Sequence, residues 1–145
     1  MDNEMTLSFL AKSENESLAR LAITSFIAQI DPTIDELAEC KTIVSEAVSN
    51  AIIHGYDGAD GVVTVHAVLD GDMLTVSIKD EGRGIPDIAS AREPLFTTKG
   101  HEERSGMGFT IMESFSDELH IESHVGHGTT ITFTKKFSPV QAVAM

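Results

Sequence analysis

The alternation of apolar and polar positions divides the chain into short strands and two longer helices. Thr6 to Lys12 alternate weakly and predict a first strand. Ser13-Glu14-Asn15-Glu16 then offers a helix start with early acids, and a helix is expected to about Gln29 with Leu18, Leu21, Ala22, Phe26 and Ile30 on its apolar stripe. Asp31-Pro32 ends it. A second helix, about Asp35 to His54, carries Leu37, Cys40, Val44, Ala47, Val48 and Ala51 inward, with Gly55 as its expected C-cap. Strands Val62 to Leu69 and Met73 to Asp80 follow, joined at Asp70-Gly71-Asp72. From Gly82 to Gly106 the pattern breaks into glycines, prolines and mixed charges, an irregular segment of the kind that usually carries function. A short helix, about Met107 to Phe115, and strands Glu118 to His124 and Thr129 to Phe137 complete the order βααββ, loop, αββ. That order predicts an α+β fold: helices on one face of a mixed, mostly antiparallel sheet whose other face is more polar.

Composition narrows the function. At 145 residues the chain suits one domain, expected over residues 1–137 with a frayed tail over 138–145. A formal charge of -13 argues against direct nucleic-acid or anionic-membrane binding, because phosphates would be repelled. A nucleotide would have to be held by backbone amides, a metal and a few local cations. The single cysteine, Cys40, reads as a small core residue. Neither a basic, apolar leader nor a run near the roughly 20 apolar residues of a membrane span is present, so a cytoplasmic location is expected.

Four constellations carry candidate chemistry. Glu46 and Asn50 lie one helical turn apart, about 40° around the axis and about 6 Å along it, and so share a face that is not the apolar one. Such a pair can orient or deprotonate a nucleophile and ligate Mg²⁺; taken alone it is more often a solvated helix face. Asp80 extends the buried stripe Leu74, Val76, Ile78 with a carboxylate, which is costly unless hydrogen bonds are donated to it. The exocyclic amino group of a base would serve, with Gly82 and Gly84 permitting positive φ and leaving room for a flat ring; the competing reading is an ordinary turn. Gly106-Met107-Gly108 opens a helix and exposes amides to an anion, with Lys99 and Arg104 nearby in sequence, although a lone G-x-G is more often a turn. Gly128-Thr129-Thr130 taken alone favours a hairpin; beside Asp80 it can also supply a hydroxyl that completes the contact with a base.

In this order, E-x-x-x-N, D-E-G-x-G, G-x-G and G-T-T resemble the nucleotide-binding boxes of the GHKL ATPase superfamily. The resemblance implies the Bergerat fold, with ATP between helices and sheet beneath a lid, here about Pro86 to Ser105. It places the adenine amino group at Asp80, the ring beside Gly82, Gly84 and Ile85, and Mg²⁺ at Asn50. The phosphates would meet Thr98, Lys99, Arg104, Ser105, Gly106, Met107, Gly108 and Phe109, and Thr130 would complete the adenine contact. The stretches FIAQIDPT, SEAVSNAIIHGY, DEGRGIPDI, PLFTTK and RSGMGFTIME are similar, more narrowly, to the anti-sigma F serine-kinase family of endospore-forming bacteria. That similarity implies a homodimeric, ATP- and magnesium-dependent serine-protein kinase of sporulation. It would silence the sigma factor F and phosphorylate a serine of an anti-anti-sigma factor, with Glu46 as the catalytic base. Glu16 and Arg20 correspond to the family's docking region, though Arg20 fits a solvated helix position as well. Three alternatives stay open: a general-stress anti-sigma kinase of the same family, a binding module that takes ATP without transferring phosphate, and an ATPase or histidine-kinase fragment.

Overall fold

The computed structural model describes residues 2–92 and 108–138. Five strands, β1 (Asn3–Leu10), β2 (Val62–Asp70), β3 (Met73–Asp80), β4 (Glu118–His124) and β5 (Gly128–Lys136), form one sheet in the order β1-β2-β3-β5-β4. Every pairing is antiparallel. The β2–β3 hairpin turns on Gly71-Asp72, with Gly71 at φ 63° as the first turn residue, where a side chain would be strained.

Helix α1 (Asn15–Ile27) runs into a 3-10 turn (Ala28–Ile30) and stops at Asp31, whose φ of 53° breaks the helical path before Pro32. Helix α2 (Ile34–Asn50) starts on a reciprocal cap. The Glu36 amide donates to Thr33 Oγ1 at 3.1 Å, and the Thr33 amide donates to Glu36 Oε1 at 2.9 Å. Two shorter helices, α3 (Ile88–Ala91) and α4 (Gly108–Phe115), follow β3.

The core lies between helices and sheet. Val63, Val65, Ala67 and Leu69 of β2, Leu74, Val76 and Ile78 of β3, and Ile131 and Phe133 of β5 meet Ile23 and Ile27 of α1, Ile43, Val44, Ala47 and Val48 of α2, and Met112 of α4. The opposite sheet face is polar, bridged by hydroxyl pairs such as Ser8–Thr64 at 3.0 Å and Ser77–Thr132 at 3.1 Å. Cys40 is fully buried, and burial pushes its thiol up to about 12. Lys135 is also buried on the helix side, where its ammonium donates to Glu39 Oε1 at 2.8 Å and to the Phe115 carbonyl at 2.7 Å. None of the described helices is long and apolar enough to cross a membrane.

Two expectations are corrected. The buried face of α1 is Ala19, Ile23, Phe26 and Ile27, whereas Leu18 and Leu21 are exposed. Apolar residues cover an arc of this helix broader than one buried stripe, so periodicity alone could not choose the face; docking on α2 does. Gly55 is not a left-handed C-cap either. The helical path continues beyond Asn50 through a π-helical turn, Ala51–Tyr56, and the residue that ends it is Asp57 at φ 49°.

Candidate active site

Asp80, the last residue of β3, is 3% exposed on the helix-facing side of the sheet. Its strand alternation is unbroken, so the carboxylate occupies what would otherwise be a core position. Burial pushes its pKa up from the ordinary carboxylate value, against the lowering pull of the Gly82 and Thr129 amides; the Gly82 N–H donates to Oδ1 at 2.9 Å.

Backbone packs closely about Asp80 and its neighbours from three directions. On the π-helical side, a Cβ at Gly55 would lie 2.9 Å from Asp80 Cγ. In the loop after β3, a Cβ at Gly82 would lie 2.0 Å from the Gly55 carbonyl oxygen, which already accepts the Arg83 amide at 2.9 Å. On the hairpin side, Gly128, at φ 111°, would bring a Cβ within 2.1 Å of the Asp80 carbonyl oxygen. Gly84 combines both demands: its φ is 79°, and a Cβ there would meet the His124 carbonyl oxygen at 2.4 Å. Only Gly84 of the D-E-G-x-G pair uses positive φ; Gly82 is required by close approach instead.

Further hydrogen bonds staple these pieces. The Ile85 amide donates to Ser123 Oγ at 2.7 Å, which joins the loop to β4, and Ser123 lies 2.8 Å from Thr129 Oγ1. The Glu81 amide donates to the Tyr56 hydroxyl at 2.7 Å, and that hydroxyl donates to the Val62 carbonyl at 2.6 Å. Arg83 Nε donates to the His54 carbonyl at 2.7 Å, and the Arg83 carbonyl accepts the Gly126 amide at 2.8 Å.

The threonine on the Asp80 face is Thr129 rather than Thr130. Asp80 pairs with Thr129 and Lys79 with Thr130, so side-chain alternation sends Thr130 to the opposite face of the sheet. Thr129 is buried beside Asp80, and nothing in the adjacent pair of threonines revealed the phase before the register was known.

Glu46 and Asn50 are half-buried on the last turns of α2. A Cβ at Gly108 would lie 3.1 Å from Glu46 Oε2, so the glycine at the start of α4 brings that carboxylate against the helix N-terminus. Phe109 is buried in the core, which leaves only its main chain for an anion. Thr98, Lys99, Arg104, Ser105, Gly106 and Met107 lie outside the described residues. Asn50 supplies one hard oxygen donor, and no cluster of three or more metal-binding side chains occurs among the described residues. Such a donor set fits Mg²⁺ held mainly by phosphates and water, which needs one or two protein ligands.

Glu16 and Arg20 sit beside the other end of Glu46's neighbourhood. Arg20 donates to Ser45 Oγ at 3.1 Å and to Ser17 Oγ at 3.0 Å, and lies 4.0 Å from Glu16. Arg20, Ala38, Lys41, Thr42, Ser45 and Glu46 line one open groove of about 330 Å³.

Comparison with known proteins places this arrangement. Residues 9–135 match the family described as "Histidine kinase-like ATPase domain". The Anti-sigma F factor of Lysinibacillus sphaericus is 66% identical over all of both chains. That of Geobacillus kaustophilus is 54% identical over 99% of each. The chain belongs to the anti-sigma F factor family, within the histidine kinase-like ATPases. Among solved structures, the RsbU and RsbW domains of a Mycobacterium tuberculosis protein superpose with a TM-score of 0.69 at 24% identity, over 98% of this chain and 35% of that one. The likeness to that structure is one of fold.

Proposed function

We propose that the chain is an ATP-dependent serine-protein kinase that also binds and silences the sigma factor F, acting on a serine of an anti-anti-sigma factor. The observation that carries the protein-kinase reading is the shared groove: Arg20, the docking candidate, and Glu46, the candidate base, line the same open surface. A kinase for a protein serine needs such a path from a docking site to the transferred phosphate. The family match supports the sigma partner.

In this reading Asp80 accepts the adenine amino group, and the ring lies against the main chain at Gly82 and Gly84. The start of α4 faces the phosphates, and Asn50 would hold Mg²⁺, which would supply charge neutralisation on the phosphate oxygens. Glu46 orients the serine hydroxyl and takes its proton as the serine oxygen bonds to the γ-phosphorus; the bond to the β,γ-bridging oxygen breaks and ADP leaves. Lys99 or Arg104 stabilises the transferred charge. The active species is a homodimer in the cytoplasm of a sporulating cell.

Incubation with γ-labelled ATP, Mg²⁺ and the anti-anti-sigma protein tests this directly. Label on one serine of that protein is expected, together with capture of sigma F that Arg20→Ala weakens without changing ATP affinity. Nucleotide binding with no label transferred would replace the kinase by a module that uses ATP only as a conformational ligand.

A further inference from the structure

The π-helical turn Ala51–Tyr56 is a rare way to end a helix, and short π segments are frequent at functional sites. Its glycine has no conformational reason to be glycine. Gly55 is not among the residues with positive φ, so alanine would be tolerated by the backbone at this position. What a side chain there would displace is Asp80: an added Cβ would stand 2.9 Å from Cγ, 2.9 Å from Oδ1 and 3.0 Å from Oδ2 of the carboxylate. Gly55 makes that contact from within the turn. Three hydrogen bonds then hold the turn against the loop that follows Asp80: Arg83 amide to Gly55 carbonyl at 2.9 Å, Arg83 Nε to His54 carbonyl at 2.7 Å, and Glu81 amide to Tyr56 hydroxyl at 2.7 Å.

We infer that Gly55 is a positioning residue for base recognition, with Tyr56 in support: the π-helical turn presses bare backbone against the Asp80 carboxylate and fixes the direction in which it accepts a hydrogen bond. The inference rests on the reading of Asp80 as the acceptor of the adenine amino group. It assigns specificity for a 6-aminopurine to a segment that need not touch the base. A displaced carboxylate would still hold charge but would no longer present its oxygen in the plane of the ring, and hydrogen bonding falls steeply with misalignment.

The test compares affinities for ATP and for purine riboside triphosphate, which lacks only the 6-amino group, in the full chain with Mg²⁺. The wild type is expected to prefer ATP by about tenfold or more, as the loss of one buried hydrogen bond implies. In Gly55→Ala this preference should collapse towards one while affinity for the analogue is retained; general loosening of the fold would lower both affinities and leave the ratio intact. Tyr56→Phe keeps the ring beside Gly61 and removes the hydroxyl, so a severalfold smaller ratio is expected; it decides the matter should Gly55→Ala fail to fold. An unchanged ratio in the folded variants, with a collapsed ratio in Asp80→Asn, overturns the role of the turn alone. A wild type with no preference, or an unchanged ratio in Asp80→Asn, overturns the assignment of Asp80 and the inference with it.

Discussion

The two ends of the candidate site are built from different materials. Around Asp80 the chain packs through bare backbone: Gly82, Gly84 and Gly128 stand where a Cβ would collide with main chain, and Gly55 where it would meet the carboxylate. Around Glu46 the contacts come from side chains on helices, with a half-buried carboxylate against Gly108 and an open groove running to Arg20. The first construction suits a flat, invariant ligand part, since glycine contacts leave no freedom to adapt. The second suits a protein partner, which must enter and leave and whose docking tolerates side-chain adjustment.

The sharpest way to separate the ends is Glu46→Gln. Phosphoryl transfer should fall by about 10²–10⁴-fold, the range for removing a general base, with nucleotide affinity nearly unchanged in a binding titration. A parallel loss of affinity would erase the distinction. Asp80→Asn should do the reverse, weakening ATP binding by about tenfold to a hundredfold through loss of a charged acceptor.

Its effect on the nucleotide-free protein should have the opposite sign. Burial raises the Asp80 pKa on folding. The contribution of this group to stability is therefore fully present below its unfolded value of 3.8 and lost as pH rises through the folded value. Replacing the carboxylate with a neutral amide should then raise the melting temperature of the nucleotide-free protein at pH 7 while affinity falls. ATP affinity of the wild type should decline as pH drops through the same range, because the protonated acid is a poorer acceptor. Calorimetry and titration at several pH values check both signs.

Two smaller effects bound the comparison from outside the site. Cys40, with its thiol pushed up to about 12 by burial, should resist thiol reagents at pH 8 until the chain unfolds; rapid labelling of the native protein would contradict its placement. Thr33→Ala removes one half of the α2 cap and should cost about 1 kcal/mol in denaturant unfolding, with no change in nucleotide affinity.

Much of the fold was legible because strand alternation and turn chemistry agree. Met73 to Asp80 and Glu118 to His124 are strands with the expected bounds, and the Asp70-Gly71-Asp72 signal closes the β2–β3 hairpin. The carboxylate of Asp80 was conspicuous for the same reason, standing at a buried phase of a clean period. What sequence could not give was phase and proximity. Thr129 and Thr130 differ by one residue, and only pairing with β3 decides which joins Asp80. On α1 an apolar arc broader than one stripe hid the buried face until α2 fixed it. Gly55 looked like a helix terminator because glycine commonly is one; its real constraint, a carboxylate 25 residues later in the chain, is a tertiary contact with no local trace. Tyr56, Arg83 and Ser123 were silent for the same reason, since their work is to join segments distant in sequence.

The most direct measurement is a crystal structure with Mg²⁺ and a non-hydrolysable ATP analogue. The adenine amino nitrogen should lie within about 3 Å of an Asp80 carboxylate oxygen, the metal beside Asn50, and the γ-phosphate at the Gly108 end of the Glu46 groove. A base bound away from Asp80, or a triphosphate directed away from Glu46, would contradict the account.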